Sequence, residues 1–250
     1  MPASLVLRPG VKTPPGAGYG RATAAGRSWP KAALVCACNS LRKTKSATKW
    51  AMAILVGTAS WTDKTLIESG KFYPPEARSP EARLRFYAKQ FPFVEVDASY
   101  YAIPTPGTAQ AWAERTPPDF TFNVKAFRLF TGHQTDPRFL EKDIREALPP
   151  TEKRMLYYRD VPTEILDELW RRFKLALVPL ARNAKLAAVH FQFAPWVIND
   201  RDGIAHVIEC VDRMADHHLS VEFRNQIWFD EAHRVKTLEF QKGRREQHDR

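Results

Sequence analysis

Glu95, Asp97, Lys125, His190, Gln192, Glu222 and Arg224 share one placement: each alternates with large apolar neighbours in a short hydrophobic run. Val94 and Val96 alternate with Glu95 and Asp97, and Phe122 and Val124 with Asn123 and Lys125. Val189, Phe191 and Phe193 alternate with His190 and Gln192, and Val221 and Phe223 with Glu222 and Arg224. A period of two is that of a β-strand, whose successive side chains point to opposite faces. A parallel strand covered on both sides should be apolar on both, and a charge buried alone is costly. The economical expectation is that these groups meet one another in an enclosed centre near the strand ends. There, Lys125 and Arg224 suit an anionic ligand such as a phosphate or carboxylate. Glu95, Asp97 or Glu222 suits a general acid or base if burial raises its pKa. The same side chains also fit a purely structural ion-pair network, and His190, in mid-strand, reads first as a hydrogen-bonded core residue.

Other residue types extend or limit this chemistry. Trp61, Tyr100, Tyr101 and Trp228 follow the strand ends and are candidates for stacking on a sugar or base, or for capping the sheet. His133, His190, Asp97 and Glu222 are metal-ligand types without diagnostic spacing, so no metal is assigned. Gly57 offers close approach to a backbone or ligand. Gly-rich phosphate loops, nucleophile elbows and paired-Cys motifs are absent from the sequence.

The elements that must position these residues are an alternation of strands and helices, the pattern of an α/β fold with a parallel sheet. Strands are expected at 53–58, 93–99, 119–125, 186–193 and 219–224. A helix at 80–90 places Leu84, Tyr87 and Phe91 on one face. Thr105 caps a second helix that opens on Pro106 and runs to about Arg115. A weaker helix is expected at 137–147 and a Pro-containing loop at 148–161. Thr163 is expected to cap a long amphipathic helix to about Ala181, with Ile165, Leu166, Leu169, Phe173 and Leu177 at helical spacing. A last helix covers 203–216.

Six stretches then occur in order: Val56-Gly57-Thr58-Ala59-Ser60-Trp61, Phe72-Tyr73-Pro74, Val94-Glu95-Val96-Asp97-Ala98-Ser99-Tyr100-Tyr101, Phe122-Asn123-Val124-Lys125-Ala126, Phe191-Gln192-Phe193-Ala194-Pro195 and Val221-Glu222-Phe223-Arg224-Asn225. Together they resemble the signatures of the YecE-like family, domain of unknown function 72, over roughly residues 53–232. The resemblance implies a TIM-barrel-like (β/α) barrel and no established activity. Members of that family commonly carry Asn where this chain has Asp97, which adds a charge here. The family's His-bearing loop after the third strand is matched by His133 in Phe130-Thr131-Gly132-His133. Similar proteins continue with further βα units, whereas residues 234–250 are almost entirely polar after Phe240. The expectation is a barrel truncated after about five strands, where a closed one has eight. Its open edges would be an aggregation liability.

The chain has 250 residues, 44% hydrophobic and 26% charged, which is ordinary globular composition. Its net charge of +10 is not evenly spread: residues 1–51 hold nine Lys or Arg and no acid, leaving 29 basic against 28 acidic residues in the body. The expected organisation is a disordered basic extension (1–51), a partial barrel domain (52–232) and a polar C-terminal tail (233–250). Met52 directly precedes the first strand, so a translation start there is also expected. Nothing resembles a transmembrane span. Cys36, Cys38 and Cys210 form no disulfide framework, and a reducing cytoplasm fits best. The near-neutral body makes nucleic acid an unfavoured partner. A small polar or anionic ligand, with hydrolase or proton-transfer chemistry, is the leading expectation. The alternatives are a non-enzymatic module binding nucleic acid or protein, and a fragment without function. Cofactor and oligomeric state stay open.

Overall fold

The computed structural model describes residues 53–239, together with the strand pairing of Leu5–Val6 and Leu34–Asn39. The expectations for the rest of the basic extension and for residues 240–250 lie outside the described residues. In chain order the strands are β1 (Leu5–Val6), β2 (Leu34–Asn39), β3 (Ala53–Thr58), β4 (Phe93–Val96), β5 (Thr121–Lys125), β6 (Leu186–Phe193) and β7 (Leu219–Phe223). The helices are α1 (Lys64–Glu68), α2 (Pro80–Gln90), α3 (Pro106–Glu114), α4 (Lys142–Ala147), α5 (Thr163–Arg182) and α6 (Arg201–Arg213).

Four strands, β4 to β7, form one parallel ladder in sequential order, as short strand–helix–strand crossovers require. Residues Leu5–Val6 pair antiparallel on the outer side of β7, and Leu34–Asn39 pair antiparallel with β3. β3 meets β4 at one parallel bridge, Ala59 with Glu95, where the Ser60 amide donates to the Glu95 carbonyl at 2.9 Å. The sheet is open among the described residues: β3 and β7 do not pair, so these strands do not close a barrel.

A side chain takes the place of ladder bonds where β3 and β4 diverge. The Thr58 amide donates to the Tyr87 hydroxyl at 2.7 Å, and that hydroxyl donates to the Phe93 carbonyl at 3.1 Å. Gly57 is what permits the approach, because a Cβ there would lie 2.1 Å from the Phe93 carbonyl oxygen. Backbone cannot yield as a flexible side chain can. Gly57→Ala is therefore expected to cost about 3 kcal/mol, at the upper end for overpacking. Urea unfolding would show this as a lowered midpoint; an unchanged midpoint would mean that β3 is not held this close to β4.

The apolar half of each strand packs under the helices. Trp112 of α3 stacks on Phe122, and Trp170 of α5 stacks on Phe191. α5 buries Ile165, Leu166, Leu169, Trp170, Phe173 and Leu177 along one stripe, as its periodicity predicts. Ser79, Thr105 and Asp200 cap α2, α3 and α6 by accepting amide hydrogen bonds from Ala82, Thr108 and Gly203.

Several boundaries differ from expectation. Thr163 is the first residue of α5 rather than its cap; Pro162 holds the cap position, and its carbonyl accepts from the Ile165 and Leu166 amides. α6 starts at Arg201, two residues before Gly203, because Asp200 caps it. β4 stops at Val96, not 99. Asp97 turns into helical backbone, and the Ser99 hydroxyl binds the Val96 and Lys125 carbonyls at 2.8 and 2.6 Å. The weak helix at 137–147 splits into a short 3-10 turn, Pro137–Phe139, and α4. Residues 234–239, within the expected polar tail, are helical, and Thr237 is buried against Asn199. No helix among the described residues is long and apolar enough to cross a membrane.

Candidate functional site

The polar half of each strand forms rows across the opposite face of the sheet. Glu95 pairs in register with Asn123, and Asn123 with Ala188. One step toward the strand ends, Lys125 pairs with His190 and His190 with Ser220. Farther on, Gln192 pairs with Glu222. Glu95, Asn123, His190, Gln192, Ser220 and Glu222 are all buried. The structure thus brings together the strand-borne residues singled out by their alternation.

Their contacts are specific. Glu222 accepts from the Gln192 amide at 2.8 Å and from Arg224 Nε at 3.1 Å, and its Oε2 lies 3.5 Å from His190 Nε2. The other ring nitrogen of His190 bonds the Ser220 hydroxyl at 3.1 Å. Lys125 Nζ donates to Asp97 Oδ1 at 2.7 Å. Arg224 and Asp97 are partly open to solvent, whereas Glu222 is enclosed.

These surroundings drive two carboxyls apart. Burial raises the pKa of Glu95; His190 and Lys125 oppose it, while Asp97 and Glu222 reinforce it. No hydrogen bond or ion pair reaches the Glu95 carboxyl among the described residues. Burial also acts to raise Glu222, but the hydrogen bonds of His190, Gln192 and Arg224 outweigh it and hold that carboxyl at about 2. A pair of carboxyls shifted in opposite directions suits acid–base work, one pushed toward its protonated form and the other toward its anion. Beside Glu95 in the ladder, Asn123 Oδ1 is buried with no partner. It lacks a donor of the kind that a protonated carboxyl or a ligand hydroxyl supplies.

A rim of rings stands where the parallel strands end, the edge at which α/β sheets bind ligands. Tyr100 follows β4, and its ring lies 5.0 Å from Lys125 Nζ. His133 packs edge-on against Tyr100 and against Trp196, with ring centroids 5.3 and 5.7 Å apart. Burial, then Arg128, Arg224 and Lys125, push the His133 imidazole down to about 4, so it is neutral at physiological pH. Its Nδ1 bonds the Thr131 hydroxyl at 3.0 Å. Trp196 follows β6; it is 53% exposed, yet its Nε1 is fixed by the Gly132 carbonyl at 2.8 Å. Tyr101 is largely exposed and touches Tyr100.

Trp61 and Trp228 are elsewhere, which corrects their expected place at the rim. Trp61 packs edge-on against Trp112 of α3 and donates to the Pro80 carbonyl. Trp228 stacks on Phe223 at 4.0 Å and donates to the Val197 carbonyl. Both are buried on the helix side, where their rings fill core volume. Conversely, Asn123, Arg128 and Trp196 were not among the site residues expected from the sequence. Position was the available signal for Arg128 and Trp196, since each lies three residues beyond a strand's last residue. No group of three or more His, Cys, Asp or Glu side chains placed to hold a metal ion occurs among the described residues.

Comparisons with known proteins point to one family. The family model described as "Protein of unknown function DUF72" matches residues 55–247. The UPF0759 protein YunF of Bacillus subtilis (strain 168) is 33% identical over 190 residues, spanning 76% of this chain and 57% of that protein. A crystal structure of a DUF72 family protein from Enterococcus faecalis V583 aligns at 23% identity with a TM-score of 0.50, covering 64% of this chain and 50% of that one. One from Thermotoga maritima MSB8 aligns at 23% identity with a TM-score of 0.49, over 75% of this chain and 60% of that one. The chain spans little more than half the length of YunF.

Proposed function

The chain belongs to the DUF72 family, and from that starting point we propose that its polar sheet face binds a small polar or anionic ligand and exchanges a proton with it, as a hydrolase or proton-transfer enzyme does. The observation that carries this reading is the pair of oppositely shifted carboxyls, Glu95 and Glu222, on one sheet face with the Lys125–His190 row between them. Glu95 is the candidate acid, while Glu222 is the permanent anion that orients His190 and Gln192. Lys125 and Asp97 stand at the entrance, with Tyr100, His133 and Trp196 as its rings. In a TIM-barrel-like arrangement of the parallel strands this face would be the inward one, which fits side chains that are polar yet buried. The buried free thiol of Cys210 suits a reducing, cytoplasmic setting.

A thermal-shift screen with hexoses and hexose phosphates tests the reading. At least one should raise the melting temperature. Trp196→Ala should weaken that ligand about tenfold with little change in the unliganded melting point, as loss of an exposed stacking platform does. If no compound stabilises the protein, the ligand site is unsupported.

A further inference from the structure

Three cations act electrostatically on His133 at the strand ends, and they are not equivalent. Lys125 is neutralised by Asp97 at 2.7 Å, and Arg224 by Glu222 at 3.1 Å. Arg128 has no carboxylate partner among the described residues. Its guanidinium lies 5.3 Å from the centre of the Tyr100 ring, and its Nε is buried without an acceptor. The backbone around it is firmly held: its amide donates to the Tyr100 carbonyl at 3.0 Å, and its carbonyl accepts from the His133 amide at 3.1 Å. A buried donor with no acceptor carries a desolvation penalty of about 1–3 kcal/mol, so its persistence calls for a partner. A planar guanidinium pre-set on an aromatic ring is suited to two-pronged binding of an oxyanion.

We infer that Arg128 is the anion-binding residue of this site and that the ligand carries a phosphate or carboxylate placed against Arg128. The inference rests on the ligand-binding reading above and sharpens it. Lys125 and Arg224, the two cations expected from the sequence to hold an anion, are already engaged. Asn123 Oδ1, on the row before Lys125, also lacks a donor. The ligand class is a small molecule with one oxyanion, such as a sugar phosphate or sugar acid. Neutral His133 beside Arg128 adds no competing charge.

Calorimetric titration of the full chain with inorganic phosphate, and separately with acetate, tests this. Wild type should bind at least one of the two, and the tighter one identifies the oxyanion. Arg128→Ala should weaken it at least tenfold. Arg128→Met, which keeps an apolar stem over Tyr100, should show the same loss if removal of the stem disturbs folding in the alanine variant. Arg85→Ala, on the exposed face of α2, should bind as wild type does and so controls for general charge. Binding by both Arg128 variants within twofold of wild type would overturn the assignment, as would failure of wild type to bind either anion. The two readings can fail separately. If Trp196→Ala still weakens a hexose while the Arg128 variants bind anions normally, the ligand site stands and Arg128 is not part of it. If anion binding is lost with Arg128 while no sugar binds, the anion site stands without the wider reading.

Discussion

Glu222→Ala is expected to destabilise the fold by about 3 kcal/mol, because it removes the anion from a buried polar cluster and leaves its partners. The Gln192 amide loses its acceptor at 2.8 Å, and His190 loses the carboxylate 3.5 Å away. Both are buried. Arg224 is more open and can be solvated, so it adds little. Those same hydrogen bonds hold the Glu222 carboxyl at about 2 in the folded protein, below its ordinary 4.5. The sign follows from linkage. A depressed folded-state pKa gives stability that is fully present above about pH 4.5 and is lost as pH falls toward about 2. The alanine variant should therefore melt roughly 6–12 °C lower at neutral pH, and the gap should shrink on acidification. A gap that stays constant down to pH 2 would mean that the carboxylate is not what holds the cluster.

Glu95→Gln should have the opposite effect on stability. Burial raises this carboxyl's pKa, so the folded protein resists its ionisation. A raised folded-state value means that stability is intact below about pH 4.5 and is lost as pH rises through the folded pKa. Glutamine never ionises. The variant should match wild type in acid and exceed it above that window, by about 1–2 kcal/mol, the order of an incompletely paired buried polar group. At the same time, any proton-transfer activity should fall by about 100- to 10,000-fold. Gain of stability with loss of activity is the signature of a functional carboxyl. A loss of both would instead mark Glu95 as a structural member of the network. Urea midpoints across pH, with activity on whichever ligand the screen returns, decide between these outcomes.

Much of this site was legible in the sequence because the strand period is rigid. Once β4 to β7 are parallel and in register, alternation alone places Glu95, Lys125, His190, Gln192 and Glu222 on one face. α5 was legible for the same reason: its apolar stripe of Ile165, Leu169, Phe173 and Leu177 allows one burial face. The rings were less readable. Trp61, Tyr100 and Trp228 all follow strand ends, but whether each turns toward the helices or the polar face depends on loop backbone that has no period. Ser60 shows the difficulty, since its positive φ of 75° reorients the chain just before Trp61. Arg128 was obscured differently. A lone arginine in a loop says nothing until its neighbours are known. Its meaning comes from Lys125 and Arg224 having found carboxylates while it has none among the described residues.

Glu95 and Glu222 occupy one enclosed polar centre that treats two chemically identical carboxyls in opposite ways. Carbon-13 NMR of glutamate side chains, with Glu95→Gln and Glu222→Gln supplying the assignments, reads both titrations in a single experiment. The expected result is a Glu95 midpoint above 4.5 and a Glu222 midpoint at about 2. Two midpoints coinciding near 4.5 would show that both carboxyls face water, and the site described here would not exist.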